Sequence, residues 1–152
     1  MHRALPLLLA SLPLWQDPQG SGRPAVEPPR YAVVIHADNK LAAVGDEAKT
    51  LIKRLFLKDL TRWPDGSEAR VYARSGDSAP QQSFRRQLLA MSEAELARHW
   101  LKQKSTNGST PPKEVESDRL VLKYVAKYPN ALGVVELASL KDVTGVKVLF
   151  EF

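Results

Sequence analysis

The stretch Ala69-Arg70-Val71-Tyr72-Ala73, running into Arg74-Ser75-Gly76-Asp77-Ser78 and on to Phe84, Leu88 and Met91, decides how this chain folds. Its first five residues alternate like a short strand. The next five are small and polar, and the last three share one face of a helix. A strand feeding a helix through a tight polar loop is the repeating unit of α/β proteins. Upstream, Tyr31-Ala32-Val33-Val34-Ile35-His36 is a continuous apolar run with β-branched residues, the mark of a strand buried on both faces. Asp38-Asn39 favours a turn. From Asp46, a plausible N-cap, the residues Ala48, Leu51, Ile52, Leu55 and Phe56 recur at helical spacing, with Lys49, Lys53 and Arg54 outward. Trp63-Pro64-Asp65-Gly66 is turn chemistry.

Downstream, Ser78-Ala79-Pro80-Gln81 fits a capping box, with Pro80 tolerated in the first turn. Ser92 with Glu95 is a second box. It opens a helix with Leu96, Ala97, Trp100 and Leu101 on one side, which places Trp100 in the core. Ser105 to Pro112 reads as a loop. Ser117-Asp118 starts a last helix through Val121, Tyr124, Val125 and Tyr128, stopped by Pro129. Leu132 to Glu136 and Val146 to Phe150 complete the strands. The alternation predicts an α/β fold with a mixed, mainly parallel sheet flanked by helices.

The chain has 152 residues, no Cys and a formal net charge of +5. The missing Cys excludes disulfides, zinc–thiolate sites, Fe–S clusters and thiol catalysis. Residues 1–30 differ from the rest. Met1-His2-Arg3 is a short basic start, Ala4 to Trp15 is uncharged and Leu-rich, and Gln16 to Arg30 is rich in Pro and Gly. The apolar run falls short of the ~18 residues a membrane span needs. The pattern predicts a signal peptide and linker over 1–30, a single α/β domain over 31–152, and a periplasmic or secreted location.

Chemistry concentrates in the loop of Arg74, Ser75, Gly76, Asp77 and Ser78. It sits at the C-terminal end of a strand, where open α/β sheets bind ligands. The helix that follows would present free N–H groups to an anion, and Arg74 adds a planar cation suited to phosphate or carboxylate oxygens. A purely structural reading stands beside this one: Ser78 caps the helix through the Gln81 N–H and Arg74 pairs with Asp77.

The segments Leu55-Phe56-Leu57, Trp63-Pro64-Asp65-Gly66, Arg74-Ser75-Gly76-Asp77-Ser78, Ser83-Phe84 and Tyr128-Pro129-Asn130-Ala131-Leu132-Gly133-Val134-Val135-Glu136 occur in an order and spacing that resemble the phosphate-binding substrate-binding proteins of ABC transporters. That resemblance implies a type II periplasmic-binding-protein-like fold, here as a truncated single-lobe member, with Arg74 and Ser78 matching phosphate ligands. The sequence departs from the family loop where Ala79-Pro80 replaces Gly-Thr and where Gly76-Asp77 exchanges Asp and Gly. The resemblance implies a non-enzymatic protein binding phosphate or a related oxyanion. The alternative is a scaffold on the same fold that binds no ligand and contacts another envelope protein.

Competing readings have less behind them. Gly76-Asp77-Ser78 resembles the Gly-Asp-Ser of a lipase and esterase family, but His99 is the sole histidine after it and lacks the Asp-x-x-His setting. His36 and His99 have no partners at metal spacing, so no metal or cofactor is expected. Arg85, Arg86, Lys102, Lys104, Lys113, Lys123 and Lys127 read as solvated surface without an aromatic stacking platform, so nucleic acid is not an expected partner.

Overall fold

A computed structural model describes residues 30–152; the signal-peptide and linker reading lies outside the described residues. Strand β1 (Tyr31–His36) leads to helix α1 (Gly45–Phe56), then β2 (Arg70–Arg74), a short α2 (Ala79–Phe84) continued by a π-helical turn (Arg85–Leu89), and α3 (Glu93–Asn107). Then come β3 (Lys113–Val115), α4 (Asp118–Lys127), β4 (Ala131–Glu136), a 3₁₀ turn (Leu137–Leu140) and β5 (Val146–Glu151).

The five strands form one sheet in the order β3-β2-β4-β1-β5. β2 runs parallel to β3 and β4, while β1 runs antiparallel to both β4 and β5. The sheet is therefore mixed: β2, β3, β4 and β5 run in one direction and β1 runs against them. Apolar alternation fixes which face a residue occupies but not the direction of the neighbouring strand.

Alternation along the central strands sends side chains to two cores. On one face Val33, Ile35, Leu132 and Val134 meet Ile52, Leu55 and Phe56 of α1 and Phe84 of α2. On the other, Ala32, Val34, Tyr72 and Val135 meet Val121, Leu122 and Val125 of α4. Helices thus cover both faces, as expected for an α/β sheet. Gly133 in β4 lets α4 approach closely, since a Cβ there would lie 2.3 Å from Val121 Cγ1.

Several local expectations are revised. α1 begins at Gly45 with Val44 at the N-cap, so Asp46 lies in the first turn and not at the cap. α3 runs on to Asn107, and β3 occupies Lys113–Val115 directly after the Ser105–Pro112 segment read as loop. The capping box at Ser92 forms, with Glu95 N–H donating to Ser92 Oγ and Ser92 N–H donating to Glu95 Oε2. α3 nonetheless contains no buried residue. Trp100 is half-buried and Leu101 exposed, so Trp100 is not the core residue its spacing predicted. Leu89 is fully buried instead, because the π-helical turn rotates it inward past Leu88.

Candidate oxyanion site

Loop 74–78 leaves the C-terminal end of β2, beside the C-terminal end of β3 and the start of α4. Arg74 is the last residue of β2, and its backbone N–H donates to Oε1 of the buried Gln81 at 3.0 Å. Its guanidinium does not pair with Asp77. It reaches across to the β3–α4 junction, where it pairs with Asp118 and donates from Nε to Val115 O and from Nη2 to Glu116 O, both at 3.2 Å. The Arg74 and Asp118 side chains are 13% and 12% exposed, so the pair is partly shielded but still reached by water. The other Asp118 oxygen accepts from Glu136 N–H at 2.9 Å and from Ser139 Oγ at 2.7 Å. One carboxylate thus ties the ends of β2 and β4 to the start of α4.

Ser78 is differently occupied. Its hydroxyl donates to Ser75 O at 2.7 Å, and its N–H donates to the same oxygen at 2.9 Å. It sits at the N-cap of α2 without making a side-chain cap bond. The expected capping box does not form: the Ser78 hydroxyl is turned to Ser75 O, and the Gln81 side chain, needed for the return bond, holds Arg74 N–H. No hydrogen bond joins the Arg74 and Ser78 side chains, whose partners lie on different elements.

Gly76 and Asp77 are exposed, and a Cβ on Gly76 would meet nothing within 4 Å. Asp77 O accepts from Gln82 Nε2 at 3.2 Å. Among the described residues, the backbone N–H groups of Gly76 and Asp77 find no protein acceptor, while that of Ser75 faces Val115 O at the end of the β2–β3 ladder. The loop therefore offers two consecutive unspent amide donors, at Gly76 and Asp77, shortly after an arginine whose guanidinium has five N–H donors, three of them committed.

Asp118 is the residue that sequence reasoning missed. In the sequence it shows only as part of a helix start, although an Asp at the first turn of a helix directly after a strand end is well placed to hold a cation on the neighbouring strand. His99 does not approach Ser78; its Nε2 hydrogen-bonds Leu57 O at 2.8 Å. Among the described residues no group of three or more His, Asp or Glu side chains is arranged to hold a metal ion.

No protein-family model and no curated protein matches the sequence. In structure the chain is similar to an ABC-type phosphate transport receptor from Vibrio cholerae, at 16% identity and a TM-score of 0.59, covering 80% of this chain and 46% of that one. It is similar also to PstS from Borrelia burgdorferi, at 14% identity and a TM-score of 0.59, covering 80% of this chain and 47% of that one. The chain thus spans less than half the length of these neighbours. The likeness fixes the fold: an α/β architecture with a mixed sheet flanked by helices, as in these two neighbours.

Proposed function

We propose that this chain is an exported, non-enzymatic binding module on a single periplasmic-binding-protein-like lobe, taking phosphate or a similar oxyanion at loop 74–78. One observation carries the reading. Arg74 is held at the C-terminal edge of β2 by Asp118, Val115 O and Glu116 O, and the loop it opens carries the unspent N–H groups of Gly76 and Asp77. A pre-oriented guanidinium beside backbone donors loses little freedom on meeting an anion. Ser78 would contribute by turning its hydroxyl from Ser75 O towards the ligand. The fold neighbours, a phosphate transport receptor among them, support the ligand class. Affinity should be low, because Asp118 competes for the cation and water screens an open site.

Calorimetric titration with phosphate and sulfate tests this. Heat at millimolar anion in the wild type, absent in an Arg74→Ala protein that still melts cooperatively, supports it. No heat in the wild type removes the site.

A second reading has its own observation: Asp118 already neutralises Arg74, and Pro80 supplies neither hydroxyl nor N–H. On that reading the scaffold contacts another envelope protein. A stoichiometric partner captured from envelope extract, together with silent anion titrations, would select it.

A further inference from the structure

The exposed face of α4 carries charge of one sign. Arg119, Lys123 and Lys127 recur four residues apart, all exposed, over roughly 12 Å of helix. Asp118 is the one acid in α4, and it is turned away into the bonds to Arg74, Glu136 N–H and Ser139. Two more exposed cations flank the helix: Lys113 from β3, 5.6 Å from the Tyr124 ring, and Arg70 from β2, 4.2 Å from the Tyr128 ring. Among the described residues none of these five makes a salt bridge or a side-chain hydrogen bond. Outside the helix the nearest acids in sequence are Glu116 and Glu114 before it and Glu136 after it, all exposed, and none of them pairs with a cation of the stripe. Like charges four apart weaken a helix, so the stripe is not there for the stability of α4.

We propose that this face docks on an anionic lipid bilayer, with the stripe on the headgroup phosphates. The class of partner follows from what surrounds the cations. Leu122, Ala126 and Val143 line an open apolar groove along the stripe, and a cationic row beside an apolar strip suits the headgroup boundary of a membrane. Single-stranded nucleic acid needs free aromatic faces for its bases. Here Tyr124 is stacked on Tyr72 at 5.1 Å and contacted by Lys113, while Tyr128 is contacted by both Arg70 and Lys127. A lone inorganic phosphate would need the cations to converge, whereas these are strung along the helix. The inference is separate from the Arg74 loop and holds whether or not that loop binds an anion.

Co-sedimentation of the full chain with vesicles tests it, using phosphatidylcholine alone or with phosphatidylglycerol, at low and high salt. Binding is expected on the anionic vesicles only, and should disappear in high salt. Each cation removed should weaken binding about fivefold, and the triple variant Arg119→Gln/Lys123→Gln/Lys127→Gln on the order of a hundredfold. The control Arg98→Gln/Lys102→Gln/Lys104→Gln on α3 removes the same charge and should bind like wild type. The Leu-rich run of residues 4–15 is common to all three proteins and generates no difference between them. Circular dichroism should show the α4 triple variant folded, since its changes relieve repulsion. The proposal fails if wild type ignores anionic vesicles, if both triple variants lose binding equally, or if a single-stranded oligonucleotide binds more tightly than the vesicles through the same three residues.

Discussion

Helix α3 opens on a complete capping box at Ser92 and ends on the left-handed Gly108, yet none of its fifteen residues is buried. Helix α4 has the simpler Ser117 cap and a β-conformation exit at Tyr128, and it buries Val121, Leu122 and Val125 against the sheet. End signals therefore tell where a helix forms, while the apolar stripe tells whether the fold depends on it. The stripe on α3 is interrupted: Leu96 and Trp100 are half-buried, and the residues beside them, Ala97 and Leu101, face solvent. In α4 the buried trio falls on one continuous arc over the small Gly133.

Substituting the same residue type in both helices separates these roles. Leu122→Ala should destabilise the protein by about 3 kcal/mol, whereas Leu101→Ala, 67% exposed, should cost less than about 0.5 kcal/mol. Equal costs in denaturant unfolding would break the contrast. Next in size is the joint at the start of α4. Arg74→Ala leaves Asp118 short of its cation and should cost about 2 kcal/mol, with the loss relieved in part by the double variant Arg74→Ala/Asp118→Asn. A double-mutant cycle showing no coupling would mean the pair holds nothing together.

Caps should behave alike where they form and differ where they do not. Ser92→Ala should cost about 1 kcal/mol. Ser78→Ala should cost less, because its hydroxyl serves Ser75 O and caps no helix. A larger loss at Ser78 than at Ser92 would reverse the assignment.

The smallest effect sits at the turn after α1. The Ser67 hydroxyl and the Ser67 N–H both donate to Asp65 Oδ1, at 2.6 and 2.8 Å, and hold its carboxyl below the ordinary aspartate range. A lowered folded pKa stabilises above the unfolded value, and that contribution is lost as pH falls through the folded one. In an NMR titration Ser67→Ala should return Asp65 towards the ordinary range; an unchanged midpoint would mean the turn does not hold the charge.

Much of the fold was legible because its central strands are short, β-branched apolar runs bounded by turn signals: Tyr31–His36 and the Leu132–Glu136 run both read as strands, and both are. β3 was not legible. Its three residues, Lys113-Glu114-Val115, hold one apolar side chain, and its strand character comes from pairing with β2 rather than from local preference. The inward turn of Leu89 was hidden for a similar reason, since a π-helical turn breaks the 3.6-residue spacing by which faces are read. At the site, the position of Arg74 at a strand end was readable. Its partner was not: Asp118 lies 44 residues away, and only the sheet order brings the two together.

Diffraction from crystals grown in phosphate tests the central claim most directly. The account predicts tetrahedral density within about 3.2 Å of an Arg74 Nη and of the N–H of Gly76 or Asp77. Ordered water alone at that position under saturating phosphate, with Arg74 still closed on Asp118, would contradict it.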